Sequence, residues 1–142
     1  MKNKASKNLI YVAIVGSGII GKTLADAFTR DPKGRYKITA ICDTDLARAE
    51  DLARIYNADV YQSHNEIVAR EDISLVYIAV PPKYHYQIFL DSISENKHVL
   101  CEKPLCLSNK EAKQMSHFAH EVAALGVVTA VNFPMQYVKA VQ

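Results

Sequence analysis

Two charged residues and a proline end one of the apolar segments of the sequence. Glu102, Lys103 and Pro104 directly follow the apolar stretch 99–101. A lysine ammonium at such a position is suited to hydrogen-bonding a substrate hydroxyl or carbonyl oxygen and to stabilising negative charge on it. Glu102 is suited either to orienting Lys103 or to binding a ribose, and Pro104 to fixing the turn through a cis peptide bond. Taken alone, an exposed charged pair at a strand end is the simpler interpretation.

A glycine-rich hexapeptide between an apolar stretch and a helical pattern indicates a phosphate-binding loop. It matches G-x-G-x-x-G and consists of Gly16, Ser17, Gly18, Ile19, Ile20 and Gly21. The first glycine permits a tight turn, the second lets the backbone approach a pyrophosphate, and the third lets helix and strand pack closely. The amino end of the following helix stabilises the anion. A turn between strand and helix that binds no ligand is the alternative.

An acidic residue stands where a ribose-binding carboxylate is expected. Asp43 ends the second apolar stretch, about 20 residues beyond the last glycine of the loop. A carboxylate there accepts hydrogen bonds from both adenosine ribose hydroxyls and repels a 2′-phosphate, which favours NAD over NADP. A helix cap is the alternative for Asp43 alone, because Thr44 and Asp45 follow and a helix begins near them. Together with the glycine loop, however, the acid favours dinucleotide binding.

The fourth apolar stretch stops at a pair of prolines. Val80, Pro81 and Pro82 are followed by a helical pattern that Pro82 is suited to open. His85 then falls on the first turn of that helix. If the strand belongs to an open parallel sheet, its carboxyl end faces the same crevice as the glycine loop, and these residues line the cofactor site. A surface or capping side chain is the simpler interpretation of a lone histidine.

The elements that position these residues follow from hydrophobic periodicity. Strands are predicted at 9–15, 36–42, 75–80, 99–101 and 127–131, with a short one near Val60. Helical spacing of apolar residues runs through 20–28, 46–56, 84–95 and 115–122, and Gly126 is placed to end the last helix. Parallel strands need crossover connections, so this alternation predicts a doubly wound α/β fold: a parallel sheet in three αβα layers and a single domain.

Two further helix starts are marked by S-x-x-E pairs. Ser63 with Glu66, and Ser108 with Glu111, have the spacing in which each side chain caps the other residue's amide. These pairs predict helices that begin just after each serine.

Composition limits the class of protein. The chain has 142 residues, of which 49% are hydrophobic and 23% charged, with a net charge of +2. The basic residues are scattered and the apolar stretches are shorter than a membrane span, so neither nucleic acid nor a membrane is an expected partner. Cys42 and Cys101 lie in predicted strands, where a thiol serves as a small apolar residue. We expect a cytoplasmic protein without a metal site.

These motifs, in this order, resemble the glucose-fructose oxidoreductase and inositol dehydrogenase family, Gfo/Idh/MocA. The resemblance runs over essentially the whole chain, and its most specific part is Glu102-Lys103-Pro104. It implies an NAD-binding Rossmann domain in which Lys103 is catalytic and Pro81-Pro82-x-x-His85 lines the cofactor crevice. The implied reaction is hydride transfer between the nicotinamide and a hydroxyl or carbonyl carbon of a sugar or polyol. A glycosidase that uses NAD, as in some relatives, and a non-catalytic nucleotide-sensing regulator are the alternatives.

The resemblance also implies a part that this chain lacks. Members of the family continue into a second α/β domain, which forms the substrate pocket and often the oligomer interface. We therefore expect residues 1–132 to be the dinucleotide-binding domain and 133–142 to begin the connection to a C-terminal substrate domain, with a homo-oligomeric full-length form. Asn132 matches the family pattern, whereas the arginine that often follows it is missing.

Overall fold

The computed structural model describes residues 9–133, so all of the predicted connection except Phe133 lies outside the described residues. Six strands form one sheet in the order β3-β2-β1-β4-β5-β6, and every neighbouring pair is parallel. The strands are β1 Ile10–Val15, β2 Tyr36–Cys42, β3 Asp59–Tyr61, β4 Leu75–Ile78, β5 His98–Glu102 and β6 Thr129–Asn132. The predicted doubly wound parallel sheet is confirmed.

Helices cover both faces of this sheet. They are α1 Ile19–Thr29, α2 Leu46–Tyr56, α3 His64–Val68, α4 His85–Ser94 and α5 Asn109–Ala123, with a 3₁₀ turn at Pro82–Tyr84 before α4. Alternate residues of β1 belong to two different cores. Val12 and Ile14 pack with residues of α1 and α2, whereas Ala13 and Val15 pack with residues of α3, α4 and α5. The three-layer αβα arrangement is therefore also confirmed.

Some strand boundaries differ from the predicted ones. β4 ends at Ile78 rather than at residue 80, since the Val80 carbonyl oxygen lies 2.8 Å from Nε2 of His85 instead of continuing the sheet. α4 agrees with the predicted helix 84–95 to within one residue at each end, and Pro82 opens the 3₁₀ turn that precedes it. β5 is longer than predicted and includes Glu102.

The two predicted capping pairs differ in detail. Ser63 and Glu66 form the reciprocal capping box at the start of α3. At α5, the Ser108 hydroxyl accepts from the amide of Glu111, but the Glu111 carboxylate accepts from the amide of Leu107 rather than that of Ser108. Both helices nevertheless begin where these pairs predict.

Two of the three cysteines are sealed in the sheet. Cys42 and Cys101 are buried in β2 and β5, whereas Cys106 is half-buried beyond β5. Burial, and then the carboxylate of Asp43, raises the pKa of Cys42 to about 12. Burial, and then the carboxylate of Glu102, raises the pKa of Cys101 to about 12 as well. No helix among residues 9–133 is long and apolar enough to cross a membrane.

The cysteine environments predict selective modification of the native protein. At pH 8 a thiol with a pKa near 12 is ionised in only about one molecule in ten thousand, and the thiolate is the reactive form. A chromogenic aromatic disulfide should therefore react with Cys106 first and with Cys42 and Cys101 only after unfolding in denaturant. In Cys106→Ser the rapid phase should disappear; a rapid phase that survives this substitution would contradict the assignment.

Candidate active site

The glycine loop lies between β1 and α1, at the carboxyl edge of the sheet. Gly16 adopts φ +102°, and a Cβ there would stand 2.5 Å from the carbonyl oxygen of Ala79. A Cβ on Gly21 would collide with the carbonyl oxygen of Gly16. The first and third glycines are therefore required by the close approach of the protein's own backbones.

Contacts with the protein's own backbone do not require a glycine at the second position of the motif, Gly18. Gly18 is the amino-terminal cap of α1 and adopts φ −69° and ψ −172°, an extended conformation open to any residue. A Cβ at this position would meet nothing within 4 Å. The open space lies at the amino end of an 11-residue helix, where exposed amide groups and the helix dipole favour an anion. Ile19 and Ile20, which follow, are 85% and 54% exposed.

Asp43 is tied to the glycine loop. Its Oδ2 accepts hydrogen bonds from the amide of Ser17 at 2.9 Å and from the Ser17 hydroxyl at 2.8 Å. Its Oδ1 accepts from the amide of Asp45 at 3.0 Å and from Nη2 of Arg48 at 3.2 Å. Partial burial opposes ionisation, but the hydrogen bonds from Asp45 and Ser17 and the charge of Arg48 together lower the pKa of Asp43 below its ordinary value.

The alternative interpretation of Asp43 as a helix cap is wrong. The cap of α2 is Asp45, whose carboxylate accepts from the amide of Arg48 at 3.3 Å. Asp43 instead joins the end of β2 to the loop after β1. Its carboxylate therefore lies beside the glycine loop at the carboxyl edge of the sheet.

His85 is fully buried, with 0% of its surface exposed. Its Nε2 lies 2.8 Å from the carbonyl oxygen of Val80, and its Nδ1 lies 3.1 Å and 3.3 Å from those of Pro104 and Leu105. The ring thus joins the end of β4 to the segment that follows Lys103. It is therefore neither a surface residue nor the cap of α4, and its buried side chain does not itself line the crevice. Pro81 is exposed and Pro82 half-buried beside it.

Glu102 is the centre of a polar row across three strands. Only 8% of it is exposed, and its Oε1 accepts from the Tyr77 hydroxyl of β4 at 2.5 Å and from Nδ2 of Asn132 of β6 at 2.6 Å. Burial, and then the hydrogen bond to Glu102, raises the pKa of Tyr77. No ion pair between Glu102 and Lys103 occurs among residues 9–133; Oε2 faces only the Lys103 amide, at 3.4 Å.

The sequence did not single out Tyr77, which shares this row. The available signal was its hydroxyl in an otherwise apolar strand, since a buried tyrosine oxygen needs a hydrogen-bond partner.

Lys103 directly follows β5 and is exposed. The peptide bond between Lys103 and Pro104 is cis, as predicted. Within the described part of the chain, the Lys103 ammonium has no hydrogen bond or ion pair. Its charge is therefore available to a bound molecule at the carboxyl edge of the sheet.

A parallel sheet that carries a glycine loop after β1 and an acid after β2 defines a dinucleotide-binding domain of the Rossmann type. The profile of the "Oxidoreductase family, NAD-binding Rossmann fold", GFO_IDH_MocA, matches residues 10–133. The chain belongs to this family, as the motifs predicted.

Individual relatives agree with this assignment. D-glucoside 3-dehydrogenase of Escherichia coli is 29% identical over 136 residues, which cover 94% of this chain and 37% of that enzyme. The crystal structure of GenD2 from gentamicin A biosynthesis, in complex with NAD, superposes with a TM-score of 0.81 at 34% identity, covering 88% of this chain and 34% of that one.

A third relative was crystallised with NADP+ rather than NAD. Biliverdin reductase from Synechocystis, in complex with biliverdin and NADP+, has a TM-score of 0.78 at 25% identity, covering 87% of this chain and 37% of that one. The chain thus spans about a third of the length of each of these relatives.

The buried contacts of His85 predict a stability effect. His85→Ala removes the imidazole that lies between the main-chain carbonyl oxygens of Val80, Pro104 and Leu105 and opens a cavity, so the free energy of unfolding should fall by about 3 kcal/mol. His117→Ala is the matched control, because the His117 side chain is 69% exposed on α5. Urea unfolding should show almost no change for the control. Equal unfolding midpoints for the two variants would contradict a bracing role for His85.

Proposed function

We propose that this chain is the cofactor domain of an NAD-dependent oxidoreductase that transfers hydride between the nicotinamide and a hydroxyl or carbonyl carbon of a sugar or polyol. The observation that carries the proposal is the open space at Gly18. A glycine that neither backbone conformation nor packing requires is explained by a ligand that approaches the main chain closely.

The residues present fit NAD. The amide groups at the amino end of α1 face the space over Gly18 and are suited to the pyrophosphate, while Asp43 is suited to the adenosine ribose. Val80, Pro81 and Pro82 then line the path along the strand ends. NAD, when bound, supplies the hydride acceptor, and the protein supplies placement and charge.

Lys103 is the catalytic residue in this proposal. Its exposed ammonium hydrogen-bonds the reacting oxygen of the substrate and stabilises the negative charge that develops there. Glu102 holds the end of β5 to β4 and β6 through Tyr77 and Asn132, so that Lys103 leaves the sheet from a fixed point. Of the two roles suited to Glu102, orienting Lys103 and binding a ribose, the contacts with Tyr77 and Asn132 favour the first, so Glu102 is assigned a positioning role.

The proposal also covers the substrate class, the second domain, the cellular location and the oligomeric state. The name D-glucoside 3-dehydrogenase supports a sugar-like substrate. The substrate domain follows the connection predicted at 133–142, after a dinucleotide-binding domain at 1–132. We place the protein in the cytoplasm and expect the full-length form to be a homo-oligomer.

The role of Gly18 is tested by a pair of glycine substitutions. Gly18→Ala should weaken NAD binding at least tenfold by calorimetry, because its Cβ enters the space assigned to the pyrophosphate, while the free energy of unfolding falls by only about 0.5 to 1 kcal/mol, the usual cost of alanine at a helix N-cap. Gly126→Ala is the matched control: its φ of +85° makes alanine costly by about 1 kcal/mol, a similar loss of stability, and NAD affinity should not change. Unaltered NAD affinity in Gly18→Ala would refute this site.

The role of Lys103 is tested in a form of the protein that turns over substrate. Lys103→Met should lower kcat by about a hundredfold to a thousandfold, since one donor to the developing charge is lost, and should leave NAD affinity within twofold. Lys110→Met, which removes another exposed lysine, should leave both quantities unchanged. Full turnover by Lys103→Met would reject the catalytic role.

A further inference from the structure

The carboxylate of Asp43 has no hydrogen-bonding capacity to spare. Two carboxylate oxygens offer about four lone-pair positions. Four donors already occupy them: the amide and hydroxyl of Ser17 on Oδ2, and the Asp45 amide and Arg48 guanidinium on Oδ1. A ribose that binds this carboxylate through two hydroxyls must therefore displace donors that are present.

The four donors are not equally easy to displace. The two amides are fixed by the glycine loop and by the start of α2. The two side-chain donors differ in burial: Ser17 is 9% exposed, whereas the Arg48 side chain is 57% exposed. Arg48 also makes the longest of the four contacts, at 3.2 Å. Its guanidinium is thus the donor that leaves most readily, because it moves directly into water.

The Arg48 guanidinium stays nearby when its contact with Asp43 is broken. Its Nε also lies 3.4 Å from Oδ2 of Asp45, the cap of its own helix. This second ion pair keeps the guanidinium beside Asp43. A planar guanidinium is well shaped to bind a phosphate through two parallel hydrogen bonds. The adenosine ribose of NADP carries a phosphate at its 2′ position, whereas that of NAD carries a hydroxyl there.

We propose that Arg48 is a specificity-determining residue that sets the ratio of NAD to NADP affinity. It competes with the ribose hydroxyls of NAD for Asp43, and it pairs with the 2′-phosphate of NADP, which Asp43 alone would repel. The inference rests on the proposed function, because it requires the adenosine ribose to lie at Asp43. It predicts that this chain binds both nucleotides, with NAD preferred.

The test is calorimetry of the 142-residue chain with NAD and with NADP, in wild type, Arg48→Ala and Arg54→Ala. Arg54 is a matched control: it lies on the same helix and makes one exposed ion pair, with Asp51, at the same 3.2 Å. Alanine is the best helix former, so both variants should keep α2, which circular dichroism checks.

Opposite changes are expected for the two nucleotides. In Arg48→Ala, NAD should bind about twofold to fivefold tighter, as release of an exposed ion pair is no longer needed. NADP should bind at least about tenfold weaker, since a charge-assisted bidentate contact is lost. Arg54→Ala should leave the ratio of the two affinities within twofold of wild type.

Any other outcome overturns the role of Arg48. Failure of this role and failure of the proposed function give different results. If wild type binds NAD but the affinity ratio of Arg48→Ala equals that of wild type, Arg48 has no part in specificity. Weaker NAD binding by Arg48→Ala, or NAD binding without measurable NADP binding in wild type, overturns it equally. If wild type binds neither nucleotide, the proposed function fails with it.

Discussion

The parallel pairing of β1 with a strand on each side is the constraint on which the rest of the structure depends. Val15 lies level with Cys42 of β2 and with Ile78 of β4, so three strands end together. The chain from β1 to β3 builds one half of the sheet and the chain from β4 to β6 the other, and their helices cover opposite faces. The loops that leave the central strands diverge, which opens a crevice at this edge.

The polar residues at that edge fall into two groups. Ser17, His85 and Glu102 are buried, and each is hydrogen-bonded to a segment distant in sequence. Because a buried polar group without a partner is costly, these bonds hold the loops and strand ends in one arrangement. Lys103 and the space over Gly18 are left facing outward. The buried group builds a rigid frame, and the exposed group is the part of this edge that stays accessible.

Local patterns were sufficient for the elements and for the loop, because periodicity and glycine spacing act within a few residues. They were insufficient where a contact joins distant segments. The sequence placed His85 on the first turn of α4, but its burial depends on the carbonyls of Pro104 and Leu105. The role of Glu102 likewise depends on Tyr77 and Asn132, which reach it only through strand order. The contact between Arg48 and Asp43 likewise depends on the orientation of the Arg48 side chain, which helical spacing does not predict.

The chemical nature of the three oxygens that face the His85 ring has an evolutionary consequence. All of them are main-chain carbonyl oxygens, which every amino acid carries, so replacement of the side chains at Val80 or Leu105 leaves the hydrogen bonds in place. Only the imidazole itself is specific. Selection on this brace therefore falls on a single codon, while the side chains at Val80 and Leu105 answer only to their packing against the core. Apolar exchanges at these two positions can reshape the neighbouring edge of the sheet and leave the brace intact.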